Sequence, residues 1–375
     1  MSYADDIPFV HGLDLCERFF FDIVKPLLDE YYPSLEYVAC RLGPGSDVLN
    51  FDTIQSRDHD WGPKLDIFLE NEQHIDELNL FFMQNLRDKT ICGYSTQFQA
   101  FNEQDKQITL INVSNNQDNT CHGLRIMTMK QFFIDYLNWI IDSGEPTYQD
   151  WLTFPSQHLL TIAQGRVFHE SNNIKINHIR SQLAYYPKDI WLYLIGCCWQ
   201  RIGQEEHLMG RAGQVNDELG SSLIANRLIR DIMRLIFLLE KQFYPYAKWF
   251  GSAFRQCTTY GSQFEPILRQ IQLATNWKER ESHLSIAYQQ LAVITKEKLF
   301  PTIESSKITI PIEITQFHDR PFQVINGGMI ADIIFTQIED NHIRQLPKIG
   351  SIDLFIDNTD AMLPELRLKI KKIFE

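Results

Sequence analysis

The stretch from Arg41 to Glu70, RLGPGSDVLNFDTIQSRDHDWGPKLDIFLE, sets a Gly-Ser bend ahead of an Asp-x-Asp pair and a short apolar run. Asp58 and Asp60 follow Ser46 by twelve and fourteen residues. Two readings compete. In the plain one this is a polar loop between strands, where aspartates cap turns and Gly-Pro-Gly-Ser is itself a turn. In the chemical one it is a site for a phosphate and a divalent metal. Magnesium takes hard oxygen ligands and is usually held by one or two carboxylates together with phosphate oxygens. On an extended backbone, carboxylates at i and i+2 project to the same side, so Asp58 and Asp60 are placed to share a metal pair. His59 then points the other way. Gly45 removes bulk where backbone must approach a phosphate, and Ser46 adds a hydroxyl donor.

Outward from this stretch, LEYVACRLG before it and KLDIFLE at its end carry the β-branched and aromatic residues of short strands. Apolar residues at helical spacing predict a helix over residues 8–32, divided or kinked at Pro26, and a second over 74–86. QITLINV and LRIMTM read as further strands, followed by a helix from Lys130 to Ile141. Past Ser143-Gly144-Glu145-Pro146 strand signals nearly vanish and amphipathic segments take over, among them DIWLYLIGCCWQRIG and SSLIANRLIRDIMRLIFLLEKQF. The expectation is an α+β domain over 1–142, with a small mixed sheet covered by helices. An all-α helical bundle domain follows over 143–300, and a short α/β C-terminal tail over 301–375 packs back on the body.

The bulk composition agrees with two domains and ample cores: 375 residues, 44% hydrophobic and 12% aromatic. A formal net charge of −13 argues against a nucleic-acid-coating protein, which needs a cationic surface. The N-terminus lacks the pattern of a signal peptide, and no run of eighteen apolar residues suggests a membrane span. Seven scattered cysteines with no CxxC pair fit a reducing cytoplasm, with Cys197-Cys198 as a buried helix pair.

RLGPGSDVLNFDTIQSRDHDWGPKL resembles the signature of an uncharacterised bacterial family, a domain of unknown function with a polymerase-β-like nucleotidyltransferase fold. The similarity extends in order through HGLRIMTMKQFFIDYL, WLTFPSQHLLTIAQGRVFHE, YYPKDIWLYLIGCCWQRIGQEEHLMGRAGQVNDELGS, FYPYAKWFGSAF and the tail. The Gly-Ser, Asp-x-Asp and PYAKW elements are also similar to those of aminoglycoside nucleotidyltransferases, whose catalytic domain faces a helical substrate domain. The resemblance implies that Gly45 and Ser46 bind phosphate and that Asp58 and Asp60 bind Mg²⁺ or Mn²⁺. It implies a nucleoside triphosphate as donor and a small-molecule acceptor. Glu205 or Glu206 then supplies a base from the helical domain, Lys248 reaches a phosphate, and Arg57 offsets the acidic cluster or touches the γ-phosphate.

The chain departs from that pattern in three ways. The serine-to-aspartate interval is a little long, and Trp61-Gly62-Pro63 interrupts the run into the strand. Where relatives place a third carboxylate on a later strand, this chain has Arg125 in LRIMTM, and an arginine neither accepts a proton nor binds a cation. This motivates an alternative, a nucleotide-binding sensor that keeps the fold without turnover. Arg227, Arg230 and Arg234 share a helix face that solvates, pairs with acids such as Asp231, or faces a phosphate. No membrane and no nucleic-acid partner is expected, and both a single chain and a homodimer remain open.

Overall fold

The computed structural model of the chain describes residues 7–58, 60–102, 107–110, 120–257, 259–301, 309–356 and 364–375. The chain divides into two compact units, Met1–Glu145 with His158–Ala184, and Pro146–Gln157 with Tyr185–Glu375.

The first unit is built around β1 (Tyr37–Arg41) and β2 (Leu65–Leu69), the two strands that bracket the opening stretch. Both are buried along their whole length, which is why their apolar residues run nearly continuously instead of alternating. Beyond β2 the chain forms a pair, β3 (Thr90–Ile91) with β4 (Tyr94–Ser95), and a three-stranded sheet in which β5 (Gln97–Asn102) lies between β6 (Gln107–Leu110) and β7 (Thr120–His122). It then returns to the first sheet as β8 (Leu124–Thr128), parallel to β2 with Asp66 opposite Arg125. β9 (Arg166–Glu170) completes the order β8-β2-β1-β9, antiparallel to β1.

Helices α1 (Gly12–Phe19), α2 (Lys25–Tyr31), α3 (Ile75–Asn85) and α4 (Met129–Leu137) belong to the same unit. Leu15, Phe19 and Phe20 pack with Ile67, Leu78 and Phe82 in its core. Burying each of these side chains contributes on the order of 2 kcal/mol. The helix expected over 8–32 is divided, with a π turn at Phe20–Val24 between α1 and α2. Pro26 follows directly on the π turn, and the backbone stays helical through Val24 into α2. The helix expected to reach Ile141 stops at Leu137, because Asn138 turns left-handed at φ +50° and directs its N–H back to Ile134.

The chain visits the second unit with α5 (Tyr148–Thr153), returns through α6 (Ser156–Gln164), β9 and α7 (Ile176–Gln182), and then stays in the second unit. The expectation of an all-α segment from residue 143 is corrected here. RVFHE is a short and largely polar strand whose pairing partner, β1, lies far away in sequence.

The second unit contains α8 (Lys188–Gln214), α9 (Glu218–Leu239), α10 (Ala247–Cys257), α11 (Gly261–Leu273) and α12 (Trp277–Leu299). Residues 201–214 are polar and rich in glycine. They continue α8 as helix, and the break before α9 is only Val215–Asp217. Gly203 explains one of the glycines. A Cβ there would overlap the backbone of Gly328, so its absence lets the tail lie close along α8. The tail is mainly helical: a hairpin of β10 (Thr315–Gln316) and β11 (Gln323–Val324) precedes α13 (Gly327–Phe335), α14 (Asn341–Gln345), α15 (Ile352–Phe355) and α16 (Pro364–Ile370). α13 packs along α8. Cys197 and Cys198 are buried in α8. Among the described residues no helix is long and apolar enough to cross a membrane.

Candidate functional site

The turn that leaves β1 is held from within by an ion pair. Arg41 Nε donates to Asp47 Oδ2 at 2.8 Å, and its other nitrogens donate to the carbonyls of Leu42 and Pro44, each at 2.9 Å. Both charged side chains are buried. The guanidinium therefore serves as a template around which residues 42–47 wrap. Gly45 is required there, because its φ of +149° disfavours other residues and a Cβ would overlap Asp47 Oδ1. Ser46 is half-buried, and its carbonyl accepts the Phe51 N–H at 2.9 Å.

A second pair grips the start of the turn. Asp66 on β2 accepts the Leu42 N–H at 2.9 Å and the Arg125 Nε–H at 2.7 Å, while Arg125 Nη2 lies 3.4 Å from the Leu42 carbonyl. Arg125 also lies over the Phe132 ring, 5.1 Å from its centroid. The arginine at the expected carboxylate position is thus a structural clamp, ion-paired to its neighbour strand. Sequence reasoning passed over Asp66. Its signal was an acid in the middle of an otherwise apolar strand.

The acidic loop is anchored beside the turn. Asp52 is buried, accepts the Gly12 N–H at the start of α1 at 2.7 Å, and accepts the Trp61 indole N–H at 3.0 Å. Trp61 is buried between Phe9 and Tyr94. A Cβ on Gly12 would stand 2.5 Å from Asp47 Cβ and 3.1 Å from Trp61 Nε1, so the turn and the loop meet at the start of α1.

Asp60, next to Trp61, has φ +51° and a side chain 49% exposed. Lys64 Nζ donates to its carbonyl at 2.8 Å. Asp58 ends a 3-10 turn, Ile54–Asp58, and its side chain, like all of His59, lies outside the described residues. The expectation of an extended backbone at Asp58 and Asp60 is corrected: Asp58 ends the 3-10 turn and Asp60 adopts a left-handed φ just before the buried Trp61. Arg57 donates to the Ile54 carbonyl at 3.1 Å and lies within 3.5 Å of the Ile7 carbonyl and the Tyr94 hydroxyl, so its guanidinium ties the loop to its surroundings.

Among the described residues no group of three or more His, Cys, Asp or Glu is arranged to hold a metal. One exposed carboxylate beside a backbone turn fits a magnesium ion that takes most of its ligands from phosphate and water.

The remaining predicted residues belong to the second unit. Glu205 pairs with Arg227, and burial pushes its carboxyl upward. Glu206 is buried, with Oε2 accepting the Ile325 N–H at 2.7 Å and Oε1 the Gly327 N–H at 3.1 Å. It caps α13 and secures the tail. Lys248 is exposed at the start of α10, 5.0 Å from the Trp249 ring centroid. Arg234 is buried, 3.6 Å from Asp231.

Glu206 yields a pH prediction. Burial outweighs the backbone N–H groups of Ile325, Gly327 and Asn326 and raises its pKa from 4.5 to about 7. A raised carboxyl contributes stability that is complete below the unfolded value and is lost as pH rises through the folded value. Glu206→Gln removes this titration. The stability of the native chain relative to the variant is therefore expected to fall by up to about 3 kcal/mol between pH 4.5 and 8, measured by urea unfolding.

Residues 151–250 match the family model described as Domain of unknown function (DUF4037), a match that does not include the turn or the acidic loop. No curated protein matches the chain. The crystal structure of a nucleotidyltransferase-like protein from Exiguobacterium sibiricum 255-15 is similar over 76% of this chain and 79% of that chain, at 9% identity and a TM-score of 0.32.

Proposed function

We propose that the first unit binds a nucleoside triphosphate with Mg²⁺ and that the chain transfers the nucleoside monophosphate to a small acceptor, releasing pyrophosphate. The observation that supports this best is the convergence of the rigid Gly45–Asp47 turn and the Asp60 loop on the start of α1. The turn offers backbone and the Ser46 hydroxyl to phosphate, while Asp60, with Asp58, would hold the metal. Bound metal would neutralise charge on the polyphosphate, and the chain's own part is to position the reactants.

A second reading, a nucleotide sensor without turnover, draws on the Arg125–Asp66 pair. That pair commits the one acid on β2 to holding Leu42, leaving it neither accepting protons nor binding metal. Incubation with each labelled nucleoside triphosphate, Mg²⁺ and a panel of small amines and alcohols separates the two. Pyrophosphate release that Asp60→Asn abolishes is the result expected for the transferase. Tight binding with no release across the panel supports the sensor.

A further inference from the structure

Four basic side chains surround the turn and the acidic loop, and the structure assigns them unequal tasks. Arg41 is committed to Asp47 and to the carbonyls of Leu42 and Pro44. Arg57 holds the Ile54 carbonyl, with those of Ile7 and the Tyr94 hydroxyl nearby. Arg125 is committed to Asp66, with the Leu42 carbonyl nearby. All three use their donors to hold the protein to itself.

Lys64 differs. An ammonium carries three N–H donors. Among the described residues Lys64 uses one, on the Asp60 carbonyl, and the nearest Asp60 carboxylate oxygen stands at 4.0 Å, beyond hydrogen-bonding distance. Its side chain is only 16% exposed. The charged and titratable groups around it are Arg41 from β1, Asp47 from the turn, Asp60 from the loop, Cys16 from α1 and Cys121 from β7. Burial and the Arg41 charge work against its ammonium, while Asp47 and Asp60 favour it.

We infer that Lys64 is the phosphate-binding cation of this site: it directs its remaining donors at a phosphate group seated between the Gly45–Asp47 turn and Asp60. This rests on the nucleotide reading above and deepens it, by naming the polyphosphate as the moiety recognised and Lys64 as the group that recognises it. The bond to the Asp60 carbonyl gives Lys64 a positioning role as well, since it fixes the backbone that carries the candidate metal ligand.

The test is calorimetric titration of the full chain with inorganic tripolyphosphate and, separately, with a non-hydrolysable ATP analogue, each with Mg²⁺. It is run on the native protein, Lys64→Met and Lys64→Arg, with thermal midpoints recorded for all three. A charge-assisted hydrogen bond corresponds to roughly tenfold to a hundredfold in affinity. Lys64→Met is expected to lose at least about tenfold for both ligands, and Lys64→Arg to recover most of it. Affinity of the native protein is expected to fall with added salt, with a weaker dependence in Lys64→Met, because the charge is screened. A purely structural lysine would not change that dependence.

Tripolyphosphate binding that needs Lys64, with no binding of the analogue, upholds the lysine's role and overturns the nucleotide reading. Unchanged affinity in Lys64→Met, or no tripolyphosphate binding by the folded native protein, overturns the lysine's role.

Discussion

Replacing Arg41 with methionine is expected to destabilise the first unit by about 3–5 kcal/mol, the range for removing one partner of a buried ion pair. The substitution strands Asp47 as an uncompensated buried charge, removes the donor to the Pro44 carbonyl, and leaves the Leu42 carbonyl only the longer contact from Arg125. Urea unfolding followed by circular dichroism measures the loss. Asp47→Leu alone should cost a comparable amount, since it strands the guanidinium instead. The double variant should cost less than the sum of the two, because neither charge then remains. Additive costs would show that the two side chains act independently and that the turn is not organised by their pairing.

Gly45→Ala is expected to cost about 2 kcal/mol or more through overpacking and backbone strain, and to reduce phosphate binding by a larger factor than its stability loss implies. The added Cβ would displace Asp47 Oδ1 and stand 2.7 Å from Arg41 Nη2, so it pushes on the ion pair from the side a phosphate would approach. The φ of +149° adds backbone strain that no rotamer relieves. Unfolding curves and tripolyphosphate titration on the same preparation check both halves. A variant with native stability and native binding would place the phosphate elsewhere than on this turn.

What was legible in the sequence was what local pattern encodes. β1 and β2 were readable because their residues form short, nearly continuous apolar runs, and the bend between Gly43 and Ser46 because only glycine suits its backbone. The site's inner wiring was not readable. Asp66 and Arg125 meet across neighbouring strands 59 residues apart, and Glu206 reaches N–H groups at Ile325 and Gly327 more than a hundred residues away. Nothing local signals either pairing. The geometry expected for Asp58 and Asp60 failed for a related reason: the loop follows the buried Trp61 and its bond to Asp52, not the extended conformation that an i, i+2 spacing suggests. β9 escaped notice because its short polar sequence pairs with a strand more than a hundred residues earlier. Nor does sequence alone explain the glycines of α8: Gly203 allows close packing against the tail.

The proposed transfer requires the Gly45–Asp47 bend and the Asp60 carboxylate to act as one metal–polyphosphate seat. The most direct test is the affinity for a non-hydrolysable nucleoside triphosphate analogue with and without Mg²⁺, in the native chain and in Asp60→Asn. Binding is expected to require Mg²⁺ and to fall at least about tenfold in Asp60→Asn, with the variant's thermal midpoint unchanged. Binding indifferent both to the metal and to Asp60, or absent from a fully folded native chain, would contradict it.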